Sequence, residues 1–131
     1  MKNLKSDLYK SEFIFIFSKE SFRVRGALVT SAFVEGQILL LAKSFLEERG
    51  VKHEPKQHQQ YRQSLNVLET NGILNSEELD NIENFWKERN KAIYSIFKGM
   101  DRAQWEKQNN KVVELGRPII ESLDKKLYPR V

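Results

Sequence analysis

The stretch from Gly26 to Leu46, "GALVTSAFVEGQILLLAKSFL", constrains the fold most, because nearly every position is apolar or small and the polar exceptions are widely spaced. Within it Leu28, Ser31, Ala32, Glu35, Leu39, Ala42 and Leu46 recur at spacings of three and four, the period of one face of an α-helix. The reading is a long helix from about Lys19 to Glu48, capped by Ser18 or Ser21, able to bend near Gly26 or Gly36, and stopped by Arg49-Gly50. Glu35 falls inside the apolar stripe, and a carboxylate there needs a partner. A chain of 131 residues has room for one core around such a helix, so residues 1–131 are read as a single domain.

The other segments read as helices too. In "EFIFIFS" the bulky residues alternate as in a strand, but no second strand offers a partner, so Phe13, Ile14, Phe15, Ile16 and Phe17 are assigned to a first helix or its exit. "VKHEPKQHQQ" is a polar loop carrying Pro55, followed by a shorter helix with Tyr61, Leu65 and Leu68 inward and Gly72 as terminator. Asn75 or Ser76 can cap the next helix, whose first turn holds Glu77, Glu78 and Asp80, where the helix dipole favours negative charge, and Lys98-Gly99 closes it. The last helix runs from about Asp101 to Tyr128, with Trp105, Val112, Leu115, Ile119, Leu123 and Leu127 on one face and Pro118 expected to kink or break it near Gly116. With 40% hydrophobic residues, 31% charged residues and few glycines and prolines, the composition suits a globular helical chain rather than a disordered one. The expectation is an all-α bundle of four to five helices.

The chain has no cysteine, which excludes disulfides, a thiolate nucleophile and a cysteine-based zinc site. The net charge of +4 leans toward nucleic acid or an acidic protein as partner. "GALVTSAF" and "GQILLLAKSFL" are broken by Glu35, Gln37 and Lys43, so no membrane span is expected. The start "MKNLKSDLYKSEF" lacks the apolar centre and cleavage site of a signal peptide, which makes a cytoplasmic protein the simplest reading. His53, Glu54 and His58 are metal-ligand types, but a proline-bearing loop gives them no helical spacing, so neither metal nor cofactor is expected.

The most informative short stretch is "FWKERNKAIYS". At about 100° per residue, Arg89 lies in the arc of Leu79, Ile82, Trp86, Ile93 and Phe97. A buried guanidinium is costly unless paired, so either a carboxylate meets it, with Glu35 the first candidate for a structural pair, or that face borders a groove or a second chain. Lys87, Arg89, Lys91, Lys98 and Arg102 give this helix and its exit a basic side that can track a phosphate backbone. Trp86, Trp105, Tyr61 and Phe97 can stack on bases, though their helical spacing fits a core.

"GILNSEELDNIENFWKERNKAIYS" resembles the late-helix region of the HEPN superfamily, the higher eukaryotes and prokaryotes nucleotide-binding domains, in which an Arg-Asn pair is followed after four to six residues by a histidine. "RVRGALVTSAFVEGQILLLAKSFL" looks like the long helix of the same family, and together the two cover roughly residues 21–99. The resemblance implies a helical bundle that often dimerises with its two arginine motifs facing across a cleft, where active members cleave RNA without metal. Arg89 matches the arginine that would position and stabilise the scissile phosphate, and Asn90 the asparagine that would orient it. The histidine does not carry over. Tyr94 stands at the four-residue spacing, and a tyrosine with a pKa near 10 is a poor general base at neutral pH. The tyrosine that some toxin members adenylylate would fall at Ile96, so that modification is not implied.

The leading expectation is therefore a HEPN-like RNA-associated or protein-interaction module without catalysis, in which Arg89, Asn90 and Tyr94 stand at the places of the family's catalytic residues and Lys87, Lys91, Lys98 and Arg102 are the RNA-binding cations. A homodimer and a cognate antitoxin or other protein are the partners implied by that family's toxin–antitoxin and phage-defence settings. Two rivals stand beside it. One is an active metal-independent ribonuclease toxin using Arg89 with Tyr94 or with a loop histidine. The other is a plain helical scaffold in which Arg89 and Glu35 form a buried pair.

Overall fold

Short hydrogen-bonded devices written in the sequence fix where the helices begin and end. The computed structural model describes residues 25–52, 59–94 and 101–129, and these form helices α1 (Arg25–Glu48), α2 (Gln60–Thr70), α3 (Ser76–Tyr94) and α4 (Arg102–Leu127). Gly50 and Gly72 sit at φ near +70° just past α1 and α2, a conformation that glycine adopts without penalty. Each lets two amides turn back onto the last helical carbonyls: Gly50 and Val51 donate to Glu47 and Leu46, and Gly72 and Ile73 donate to Glu69 and Leu68. Asn75 opens α3, its side chain accepting from the Glu78 amide at 2.8 Å while the Glu78 carboxylate accepts from the Asn75 amide at 3.1 Å. Asp101 and Gln104 make the same reciprocal pair at the start of α4. The expected helix over residues 2–17, the caps Ser18 and Ser21, the loop histidines and the Lys98-Gly99 stop lie outside the described residues.

The described helices form an all-α bundle around α1, which packs most extensively on α4 and also on α2 and α3. The core is built from Val34 and Ile38 of α1, Leu68 of α2, Phe85 of α3, and Val112 and Leu123 of α4. On α4 the expected face is the buried one: Trp105, Val112, Ile119 and Leu123 are buried, with Leu115 and Leu127 packed at its margin. Gly116 marks a close approach. A Cβ there would come 2.3 Å from Thr30 Cγ2 and 3.0 Å from Phe85 Cε2, so the absence of a side chain is what lets α1, α3 and α4 meet. Pro118 does not break α4, which continues to Leu127, and the proline is exposed.

The inward face of α1 differs from the one its spacing suggested. Ala27, Ser31, Val34, Gln37, Ile38, Leu41 and Ala42 are buried, whereas Ala32 and Glu35 are exposed and Leu28, Leu39 and Leu46 only half-buried. The buried stripe is rotated by roughly 90° from the expected one, counting about 100° per residue. The cause is the composition of the helix, which is apolar nearly all round and so leaves spacing alone unable to choose a face. By length and hydropathy α1 also qualifies as a possible membrane span, contrary to the sequence reading, yet here one of its faces forms the centre of the bundle.

Candidate functional site

The site residues come from α3, whose inward face is also displaced from the one read in the sequence. Ile82, Phe85, Glu88 and Ala92 are buried, while Leu79, Trp86 and Ile93 are half-buried. Arg89 therefore stands at the border of the core rather than in it, with its guanidinium half-buried. Its Nε donates to Ser31 Oγ across the α1–α3 contact at 3.4 Å, and its Nη1 donates to Asn90 Oδ1 at 3.1 Å. Ser31 is fixed in turn by donating to the Leu28 carbonyl at 3.0 Å. The guanidinium carbon lies 5.3 Å from the Trp86 ring centre, within cation–π range.

The expected Glu35–Arg89 pair is not formed. Glu35 is exposed, and no hydrogen bond or ion pair within 4 Å joins the two among the described residues, because the rotation of α1 carries Glu35 out of the interface. Burial lowers the Arg89 pKa from its ordinary value, and electrostatic interaction with Glu35 and Tyr94 acts the other way. An arginine keeps its proton at any physiological pH. The result is a partly desolvated cation whose direct partners are all neutral, bonded to the exposed Asn90, with the exposed Tyr94 five residues on, about 140° round α3.

The buried carboxylate of this region is Glu88, 5% exposed. It accepts from Gln108 Nε2 at 2.8 Å and pairs with Lys91 at 3.2 Å and Lys111 at 3.4 Å. The Gln108 hydrogen bond is the largest cause that holds its pKa below the usual carboxylate range, and the two lysines add to it against the cost of burial. Lying between Lys87 and Arg89, it reads in sequence as part of a solvated charge run; the available signal is its spacing of three from Phe85 and four from Ala92.

This network changes the basic side expected for α3. Lys91 is engaged by Glu88, and Arg102 donates to Glu106 at 3.1 Å in an exposed pair one turn along α4. Lys98 and Phe97 lie outside the described residues. Lys87 remains exposed and shares a helix face with Asn90 and Tyr94 at spacings of three and four. Of the aromatic residues, Trp105 is buried, while Tyr61 and Trp86 meet edge to face at 5.3 Å with the indole N–H donating to the tyrosine hydroxyl. Burial pushes the Tyr61 pKa up to about 12, the Trp86 hydrogen bond opposing and Glu35 reinforcing that shift. Tyr61 thus keeps its proton as a packing partner of Trp86 and is not a base.

Among the described residues no group of three His, Cys, Asp or Glu side chains is placed to hold a metal ion. The arrangement can receive an anion at Arg89 and a planar group at Tyr94, and it offers no described imidazole for proton transfer. Compared with protein-family models, with curated proteins and with solved structures, the chain matches none.

Proposed function

We propose that this chain is a HEPN-like RNA-associated module that binds single-stranded RNA without cleaving it, through Arg89, Asn90, Tyr94 and Lys87. One observation carries the reading: the half-buried Arg89 guanidinium has no carboxylate within ion-pair distance among the described residues and opens beside exposed polar groups. A cation in partial desolvation attracts a phosphate more strongly than a solvated one, and its planar fork can grip two phosphate oxygens at once. The exposed phenol of Tyr94 supplies a ring on which a base can stack. Tyr94 also occupies the place where the family motif carries histidine, so the module lacks the group that activates the ribose hydroxyl in active members.

The test is fluorescence anisotropy with a labelled single-stranded RNA in the presence of chelator, with the same samples run on a gel. Intact RNA is expected, bound with an affinity that Arg89→Ala lowers about tenfold, or about 1.4 kcal/mol. Tyr94→Ala should cost a similar amount through lost stacking. Lys91→Ala and Arg102→Ala should change affinity less than about twofold, since both cations already face carboxylates. Absence of binding at low salt removes the RNA reading. Cleavage that disappears in Arg89→Ala replaces it with an active ribonuclease.

A further inference from the structure

Helix α1 has a second apolar seam that the bundle does not use. Val29, Phe33, Gly36 and Leu40 are all exposed, Phe33 at 60%, and Lys43 and Glu47 continue the same line. These positions alternate by four and three residues, the pattern of a left-handed helix pair, and the buried seam of α1 repeats it on the opposite face through Ala27, Ser31, Val34, Ile38 and Leu41. A contiguous exposed apolar patch of this kind marks an interaction surface. Together with Leu127 and Tyr128 of α4, the outward seam forms an open groove of about 490 Å³.

We propose that two copies of this chain dimerise through this seam, α1 crossing α1 antiparallel on a two-fold axis at Gly36. Three features select a second copy as the occupant. Gly36 is exposed and a Cβ there would meet nothing within 4 Å, so among the described residues no contact requires a glycine at this helix-interior position; at a helix crossing it lets two backbones approach. Charge is self-complementary about the same residue. Arg25 and Glu47 each lie eleven positions from Gly36, about 16 Å along the helix, so the two-fold axis sets Arg25 of each copy beside Glu47 of the other. Glu47 is available for this, because its contact with Lys43 is an exposed one at 3.9 Å. Finally, Val29 meets the aliphatic stem of Lys43 under the same operator, and Ala32 lies across from Leu40, so apolar surface covers apolar surface in the middle of the seam, between the charged ends. The formal charges of Arg25, Lys43 and Glu47 on this face fit an aqueous protein contact better than lipid tails.

This face is not the one that bears Arg89. Ser31, which holds the guanidinium, lies about 140° round α1 from Gly36, so the dimer turns its two Arg89 sites away from each other rather than across a common cleft.

Sedimentation of the full chain across a concentration series tests the proposal. The wild type should run at twice the 15.5 kDa mass of one chain. Gly36→Lys should run as a monomer with unchanged helicity, since the monomer has open space for the side chain but the crossing does not. Arg25→Glu should weaken association about tenfold, and Arg25→Glu combined with Glu47→Arg should restore it, an outcome that does not depend on how Gly36→Lys folds. A wild type that stays monomeric, whether residues 1–24 or a lipid surface covers the seam, overturns the proposal. So does a dimer that survives Gly36→Lys and ignores both charge variants.

Discussion

Glu88 shows how one side chain can decide the character of a face. It is the single buried ionisable residue among those described, and with Gln108 and Lys111 it ties α3 to α4. Because its pKa in the fold lies below the usual carboxylate value, the stabilisation it contributes is complete above about pH 4.3 and is lost as pH falls through the folded value. Glu78, bonded to the Asn75 amide, Ser122 and Lys126, shifts in the same direction although burial alone would raise it, and it spans the same two helices. Thermal stability should therefore hold from neutral pH to about pH 5 and fall below that as α3 loses its grip on α4. Glu88→Gln keeps an acceptor for Gln108 but not the charge, and should cost about 1 kcal/mol at pH 7 and shallow the acid slope. Unfolding curves at pH 7 and pH 3.5 for both proteins measure this, and equal slopes would assign the acid sensitivity elsewhere.

Between helices, close approach matters more than propensity. Gly116→Ala gains roughly 1 kcal/mol of helix propensity but drives a methyl into Thr30, a β-branched side chain with little freedom to yield, and into Phe85. Overpacking of that kind costs about 1–3 kcal/mol, so the net change should be destabilising, and a Thr30→Ser background that removes the opposing Cγ2 should recover much of the loss. Denaturant midpoints of the single and double variants settle it; a stabilised Gly116→Ala would show that α1 and α4 can separate without penalty. The same contrast explains what the sequence could disclose. Helix ends were readable, because Gly50, Gly72, Asn75 and Asp101 act on backbone groups within a few residues of themselves. The face of α4 was readable because polar residues flank its apolar line. The faces of α1 and α3 were not, since α1 is apolar almost all round and α3 mixes both classes, and spacing within one helix carries no information about its rotation against another. That missing rotation is why spacing alone pairs Arg89 with Glu35 and leaves Glu88 reading as one more charge in a solvated run.

At the scale of the whole molecule, the bundle separates two surfaces that the family resemblance would join. Arg89 reaches solvent near the α1–α3 contact, and the unused seam of α1 faces away from it. On the proposed RNA-binding function, a dimer built on the seam carries two independent sites, and each should bind a short oligonucleotide as a lone chain does. Long RNA behaves differently, because one strand can engage both sites and the second contact forms at high effective concentration. Gly36→Lys should consequently leave the affinity for a short RNA unchanged within about twofold while weakening binding of a strand long enough to span the dimer by tenfold or more. Arg89→Ala should weaken both lengths, since it removes the contact itself. Anisotropy titrations with the two lengths against wild type and both variants separate these effects. A loss of short-RNA affinity in Gly36→Lys would instead mean that the two arginines share one site, with the partner chain completing each.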